Sequence, residues 1–222
     1  MKVLFFDTET TGIKTRDNPS FKPRLVQLGA ILQDTDTCRV LGELNLISKC
    51  NDVDIPVEAT NIHGITNELA AYAGIWEHEI DPVFAALVKQ ADLIVAHNIA
   101  YDVDVVHDNL PLTEVWIKSK PVFCTMVGSL YVVRTPASPQ DKLYYVRDGR
   151  LWNDSPYKYP SLASTHKHFF GRPHDGAHDA MADVRACRDV FFKLLDEGFY
   201  DLHQANLGPT KRLMSSWKAS KA

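Results

Sequence analysis

The sequence predicts an α/β domain built around one sheet. Three observations carry that expectation: an unbroken apolar run at Lys2 to Phe6, two further strand-like segments after it, and then helical and strand periodicities in alternation. A chain of 222 residues has room for one sizeable core. Hydrophobic residues at 45% and charged residues at 23% exclude a disordered or fibrous protein.

Lys2 to Phe6 is continuous rather than alternating, the pattern of a strand covered on both faces and therefore central. Leu25 to Gln33 and Cys38 to Ile47 are the next strands, joined by the polar turn Asp34-Thr35-Asp36-Thr37. Pro56 to Tyr72 mixes helical turns with His63-Gly64-Ile65-Thr66, where Thr66 is placed to cap a helix carrying Leu69 and Tyr72. Ile80, Val83, Phe84, Leu87 and Val88 fall at helical spacing, and Asp92 to Ala96 reads as a buried strand. Asn98 is placed to cap a helix through Leu110. Val122 and Phe123 form a short strand, followed by helix from Thr125 to Val132.

Residues 134–160 are broken by prolines and Gly149 and read as an insertion or long loop. Helix returns over Ser161 to Phe170. The last helix runs from Asp179 to Glu197, with Met181, Val184, Cys187, Phe191 and Leu194 on one face and Gly198 ending it. The tail after Pro209 is expected to be disordered.

No apolar stretch approaches the ~20 residues that cross a bilayer, and Met1-Lys2-Val3 leads into a strand rather than a signal peptide. A cytoplasmic protein with no membrane partner is expected. Cys38, Cys50, Cys124 and Cys187 are scattered without paired spacing, which argues for reduced thiols rather than zinc or a redox dithiol. The net charge of -4 conceals an uneven distribution: residues 1–117 hold eight Lys/Arg against eighteen Asp/Glu, and residues 118–172 hold nine against three. After Asp201 come Lys211, Arg212, Lys218 and Lys221 with no acid. An acidic pocket beside a basic rim can hold phosphates through metals and cations together, while either basic segment alone also reads as a solvated loop or tail.

Three segments carry candidate chemistry. In "FFDTETTGI", Asp7 and Glu9 lie two positions apart and so share one face at a strand's end. Two carboxylates there repel, and a divalent cation between them lets both stay ionised; clustered oxygen donors favour Mg²⁺ or Mn²⁺ over zinc. Taken alone, the pair also reads as a polar turn ending a strand. In "IVAHNIAYDVDVV", Asp102 falls in the first turn of a helix that follows a strand, where sites form in open α/β sheets and where an acid is also favourable for the helix itself. Asp104 and Asp108 read as ordinary helix acids. In "HDGAHDAMADVRAC", His178 precedes a helix and Asp183 follows five residues on. A histidine can take a proton at neutral pH, so the combination matters more than either residue.

The ordered set resembles the DnaQ-like 3′→5′ exonucleases, the His-containing branch of the DEDD nucleases. Asp7-Thr8-Glu9-Thr10-Thr11-Gly12 matches their first motif, His97 to Asp102 the second, and His178-Asp179-Ala180-Met181-Ala182-Asp183 the third. Ile62-His63-Gly64-Ile65-Thr66 and Cys124-Thr125-Met126 resemble further family segments, and the likeness spans roughly residues 2–197. It implies a ribonuclease H-like fold with a mixed five-stranded sheet between helices, an exonuclease domain over 1–200, and a basic tail over 201–222.

The resemblance also implies a chemistry. Asp7, Glu9, Asp102 and Asp183 would form a carboxylate cluster for two divalent ions, Mg²⁺ or Mn²⁺, with Asp7 bridging both and His178 as general base. The products would be nucleoside 5′-monophosphates. Thr10, Thr11 and Gly12 resemble the turn that meets the terminal nucleotide. His63 either contacts that nucleotide or fastens its own turn, Tyr101 either flanks a sugar or packs, and His97 is structural. His166, His168 and His174 match no pattern. Tyr144, Tyr145, Trp152, Tyr157 and Tyr159, interleaved with Lys142, Arg147, Arg150 and Lys158, suit stacking on bases and holding phosphates, or a well-packed loop. The expected substrate is a nucleic acid with a free 3′ end, DNA favoured over RNA, with any polymerase or replication partner supplied in trans. A ribonuclease of the same architecture acting on short RNAs or RNA tails is the first alternative, and a non-catalytic nucleic-acid-binding adaptor the second.

Overall fold

A computed structural model describes residues 1–14, 18, 20–50, 53–141 and 155–201. Five strands form one mixed sheet: β1 (Lys2–Thr10), β2 (Leu25–Asp34), β3 (Val40–Ile47), β4 (Leu93–Ala96) and β5 (Val122–Cys124), ordered β3-β2-β1-β4-β5. β2 runs antiparallel to both β1 and β3, while β4 runs parallel to both β1 and β5. The expected α/β class and mixed five-stranded sheet are therefore present, with β1 central.

Period-two alternation on β1 divides the core in two. Leu4 and Phe6 face one layer with Ile80, Phe84 and Val88 of α3 (Glu77–Gln90), Val105 and Val106 of α4 (Ile99–Asn109) and Ile117 of α5 (Pro111–Ile117). Val3 and Phe5 face the other, against Val184, Val190, Phe191 and Leu194 of the long C-terminal helix, Ala180–Asp196. Phe191 there meets Phe5 edge-to-face at 5.3 Å and Phe123 at 5.4 Å. Each such fully buried aromatic contributes on the order of 2–3 kcal/mol of apolar burial.

The smaller helices are α1 (Val57–His63), α2 (Asn67–Ala73), α6 (Thr125–Gly128), α7 (Leu130–Val133) and α8 (Leu162–Phe170), which makes the C-terminal helix α9. Thr66 caps α2 as expected, accepting from Leu69 N. Several expectations shift. Asn98 precedes α4 but caps nothing with its side chain; it sits instead in the left-handed region at φ 68°, which asparagine tolerates in turning the chain from β4 into the helix. β3 begins at Val40 rather than Cys38, because Cys38 itself turns with φ 57°. The expected helix 125–132 is two short ones separated at Ser129. Most of the proposed aromatic and basic segment, residues 142–154, and the tail 202–222 lie outside the described residues.

One close approach determines where α9 sits. A Cβ at Gly29 on β2 would lie 2.7 Å from the backbone C and O of Ala180 and 2.9 Å from Met181 N. Only glycine lets the helix start this close to the sheet. Gly29 is also the register partner of Asp7, so the start of α9 lies over the acid on the neighbouring strand.

Candidate active site

The alternation that buries Val3 and Phe5 continues to Asp7 and Glu9, which places both carboxyls on the α9 side of β1. Thr8 points the other way. β1 pairs with β4 only from Val3 to Phe5, so the edge beyond is open, and Asp102 fills it from the first turn of α4. Its Oδ1 accepts from Thr8 N at 3.1 Å and Thr8 Oγ1 at 2.8 Å. From the opposite side, α9 brings Asp183 in its first turn, and the preceding loop brings His178. One ligand atom from each of Glu9, His178 and Asp183 lies within 4.8 Å of the others. Asp7 and Asp102 are outside that triplet, yet both are close enough to feel the charge of Asp183.

The electrostatics follow from burial and crowding. Burial first, then Asp102, Asp183, Glu9 and Asp179 in turn, raise the Asp7 carboxyl well above the usual range. Burial, followed by Asp183, Asp102 and Asp179, pushes Glu9 up to about 8. Asp102 is raised to about 7 by burial, with the two Thr8 hydrogen bonds opposing. No cationic side chain answers these acids among the described ion pairs of the cluster, where Asp183 has only His174. Hard oxygen donors that repel one another in a cleft are a fit for Mg²⁺ or Mn²⁺, whose charge would let all of them ionise.

The other expected residues also converge here. Thr10 Oγ1 lies 2.5 Å from Tyr101 Oη and donates to Gly12 O at 2.7 Å, while Tyr101 Oη donates to the same carbonyl at 2.9 Å. Thr11 is buried with its hydroxyl accepting from Arg24 N. These hydroxyls thus brace the turn at Gly12, whose φ of 145° suits glycine. His63 fastens its turn, Nδ1 accepting from Ile65 N at 3.1 Å, and it also lies near enough to Thr10 and His178 to be influenced by both. His97 bonds Thr125 Oγ1 and the Pro160 carbonyl, a structural tie between β4, α6 and the approach to α8.

Sequence reasoning missed His174. Its Nε2 lies 2.5 Å from Asp183 Oδ1, with the side chains only 7% and 13% exposed. The two lie nine positions apart across loop and helix, so neither helical nor strand periodicity links them.

A family model described as an exonuclease, RNase_T, matches residues 4–191. The chain belongs to this exonuclease family. The DnaQ-like resemblance in the motifs is borne out. DNA polymerase III subunit epsilon of Buchnera aphidicola subsp. Acyrthosiphon pisum is 27% identical over 133 residues, covering 60% of this chain and 54% of that protein. An uncharacterized exonuclease, CP81, of Escherichia phage 186 is 27% identical over 199 residues, 88% of this chain and 89% of the relative. Among solved exonuclease structures, E. coli Exonuclease I in complex with a dT13 oligonucleotide superimposes with a TM-score of 0.64 at 23% identity, a likeness of fold over 88% of this chain and 41% of that one. The chain thus spans about half the length of the polymerase subunit and about two fifths of Exonuclease I.

Proposed function

We propose that this protein is a metal-dependent 3′→5′ exonuclease acting on DNA, single-stranded or at frayed ends, and releasing nucleoside 5′-monophosphates. The observation that carries the reading is the meeting of Asp7, Glu9, Asp102 and Asp183 with His178 at one end of the central strand, acids that no Lys or Arg balances among the described ion pairs. Residues 1–200 would be the exonuclease domain and 201–222 a basic tail.

Asp7, Glu9, Asp102 and Asp183 would hold two divalent ions, Mg²⁺ or Mn²⁺. Bound there, such ions supply Lewis acidity at the phosphoryl oxygens and neutralise charge as it develops in the displacement. His178 is exposed and beside Glu9 and Asp183, open to solvent on one side, so its imidazole takes the proton of the attacking water. The carbonyl and turn at Gly12, held by Thr10 and Tyr101, form a rigid seat for the terminal nucleotide, with Thr11 anchoring the turn to Arg24 and His63 at its side. DNA is favoured because the E. coli Exonuclease I of like fold is bound to a deoxyoligonucleotide and a relative is a DNA polymerase III subunit. By the same relation, a replication polymerase is the natural partner in trans.

The test uses a 5′-labelled single-stranded DNA and its RNA counterpart with purified protein and Mg²⁺, resolved nucleotide by nucleotide. A chelator-sensitive ladder that shortens from the 3′ end, faster on DNA, is expected. Faster shortening of RNA would move the reading to an exoribonuclease, and no shortening of either with Mg²⁺ or Mn²⁺ would contradict it.

A further inference from the structure

We infer that His174 is a positioning residue of the exonuclease site: it holds Asp183 in the orientation that faces Glu9 and His178, and through Asp183 it seats the loop that carries His178. The inference rests on the exonuclease reading above and extends it to a residue outside the motifs.

Both oxygens of Asp183 are held from a single loop, the connection between α8 and α9. Oδ1 faces His174 Nε2 at 2.5 Å, and Oδ2 accepts from the backbone N–H of His178 at 3.2 Å. The torsion that orients a carboxylate is soft, so an Asp side chain held by one hydrogen bond swivels readily. Two bonds from one loop remove that freedom and leave the remaining lone pairs for the cleft, where Glu9 and the His178 ring lie within 4.8 Å. His174 Nδ1 is buried and has no hydrogen-bond partner among the described residues. With a hydrogen on Nε2, His174 donates to Asp183 Oδ1.

The loop around His174 is braced in the same sense. His166 of α8 binds the Arg172 carbonyl through Nδ1 at 2.8 Å, and its ring lies 5.7 Å from that of His174. His178 sits at φ 70°, in the left-handed region. A non-glycine residue is held there at about 1–2 kcal/mol only when its surroundings over-determine it. Here the surroundings are its own N–H on Asp183 and the Asp179 side chain capping α9 through Ala182 N. The histidine that would take the proton is thus placed by the same carboxylate that His174 orients.

The experiment compares wild type, His174→Ala and His174→Gln as full chains. Free Mn²⁺ is titrated by electron paramagnetic resonance, and the same proteins are assayed for half-saturating Mn²⁺ and saturated rate on a 5′-labelled oligonucleotide. Loss of a hydrogen bond to a ligating carboxylate typically weakens metal binding about 10–100-fold. We expect that loss in His174→Ala, and recovery to within a few-fold in His174→Gln, whose amide N–H can reach Asp183 in place of Nε2. A purely structural role would instead lower the melting temperature and leave Mn²⁺ affinity and half-saturation unchanged. Should His174→Ala melt below the assay temperature, His174→Met fills the volume without a donor: weaker Mn²⁺ binding than in His174→Gln supports the inference, and equal binding overturns it. Wild type that binds Mn²⁺ and shortens the strand, with an indifferent alanine variant, overturns this inference alone. Wild type that does neither overturns the exonuclease reading and this inference with it.

Discussion

His178 and His97 show how environment divides one residue type between chemistry and structure. His178 lies exposed beside two acids, and in its proposed role as general base it should contribute about 10²–10⁴-fold to the rate. His178→Ala should therefore lower the saturated rate by that factor with Mn²⁺ binding largely kept, measured on the labelled oligonucleotide; unchanged kinetics would remove it from the reaction. His97 is enclosed, and burial pushes its imidazole down to about 4 from 6.5. The unfolded chain takes up this proton near pH ~6.5 and the folded chain only near 4, so the stability from the neutral ring is complete above ~6.5 and drains away as pH falls toward 4. The loss is on the order of 2–3 kcal/mol at the acid end. Denaturant unfolding from pH 7 to pH 4 should show wild type losing more stability than His97→Gln by that amount, and parallel curves would contradict the assignment.

At the scale of elements, the strand β1 and the helix α9 act as a pair, and their spacing depends on Gly29. Gly29→Ala puts a methyl group into the backbone of Ala180 and Met181, and an overpacked contact of this kind costs about 1–3 kcal/mol. Because the start of α9 must move, and Asp183 with it, activity should fall further than the loss of folded protein explains. Calorimetry alongside the strand-shortening assay checks this; a variant with wild-type rate and melting temperature would show that the spacing is not critical. The elements of the fold differ in how far the sequence revealed them. β1 and α9 were legible because an unbroken apolar run and a one-faced stripe have no competing pattern, and Asp7, Glu9 and Asp183 could be read from them. α5 was not legible, since its seven residues owe their start partly to Asp81 of α3, which accepts from Leu112 N and Thr113 N across the fold. The break at Ser129 and the turn at Asn98 are likewise decided by tertiary surroundings, which local pattern does not record. His174 went unseen for the same reason: its partner is set by how a loop folds back, not by spacing.

Across the whole molecule, the motifs far apart in the chain meet because the sheet order places β1 between β2, under the start of α9, and β4, which leads into α4. No described helix is long and apolar enough to cross a membrane. What this architecture gathers is an excess of buried negative charge, and the protein keeps it although it opposes folding. A carboxyl raised from 4.5 to about 8, as Glu9 is, adds most to stability below its ordinary value; that contribution drains away as pH rises above 4.5 and is gone above about 8, where the folded protein also ionises it. The central claim is that a divalent cation, rather than a partner side chain, balances these acids. The most direct test is thermal melting at pH 8 of wild type and Glu9→Gln, each in chelator and in saturating Mn²⁺. The account predicts that Glu9→Gln melts higher than wild type in chelator, by roughly 2–4 °C for each kcal/mol of repulsion relieved. It predicts that Mn²⁺ raises wild type by more than it raises the variant. A wild type indifferent to Mn²⁺, or a Glu9→Gln protein less stable without it, would contradict the claim.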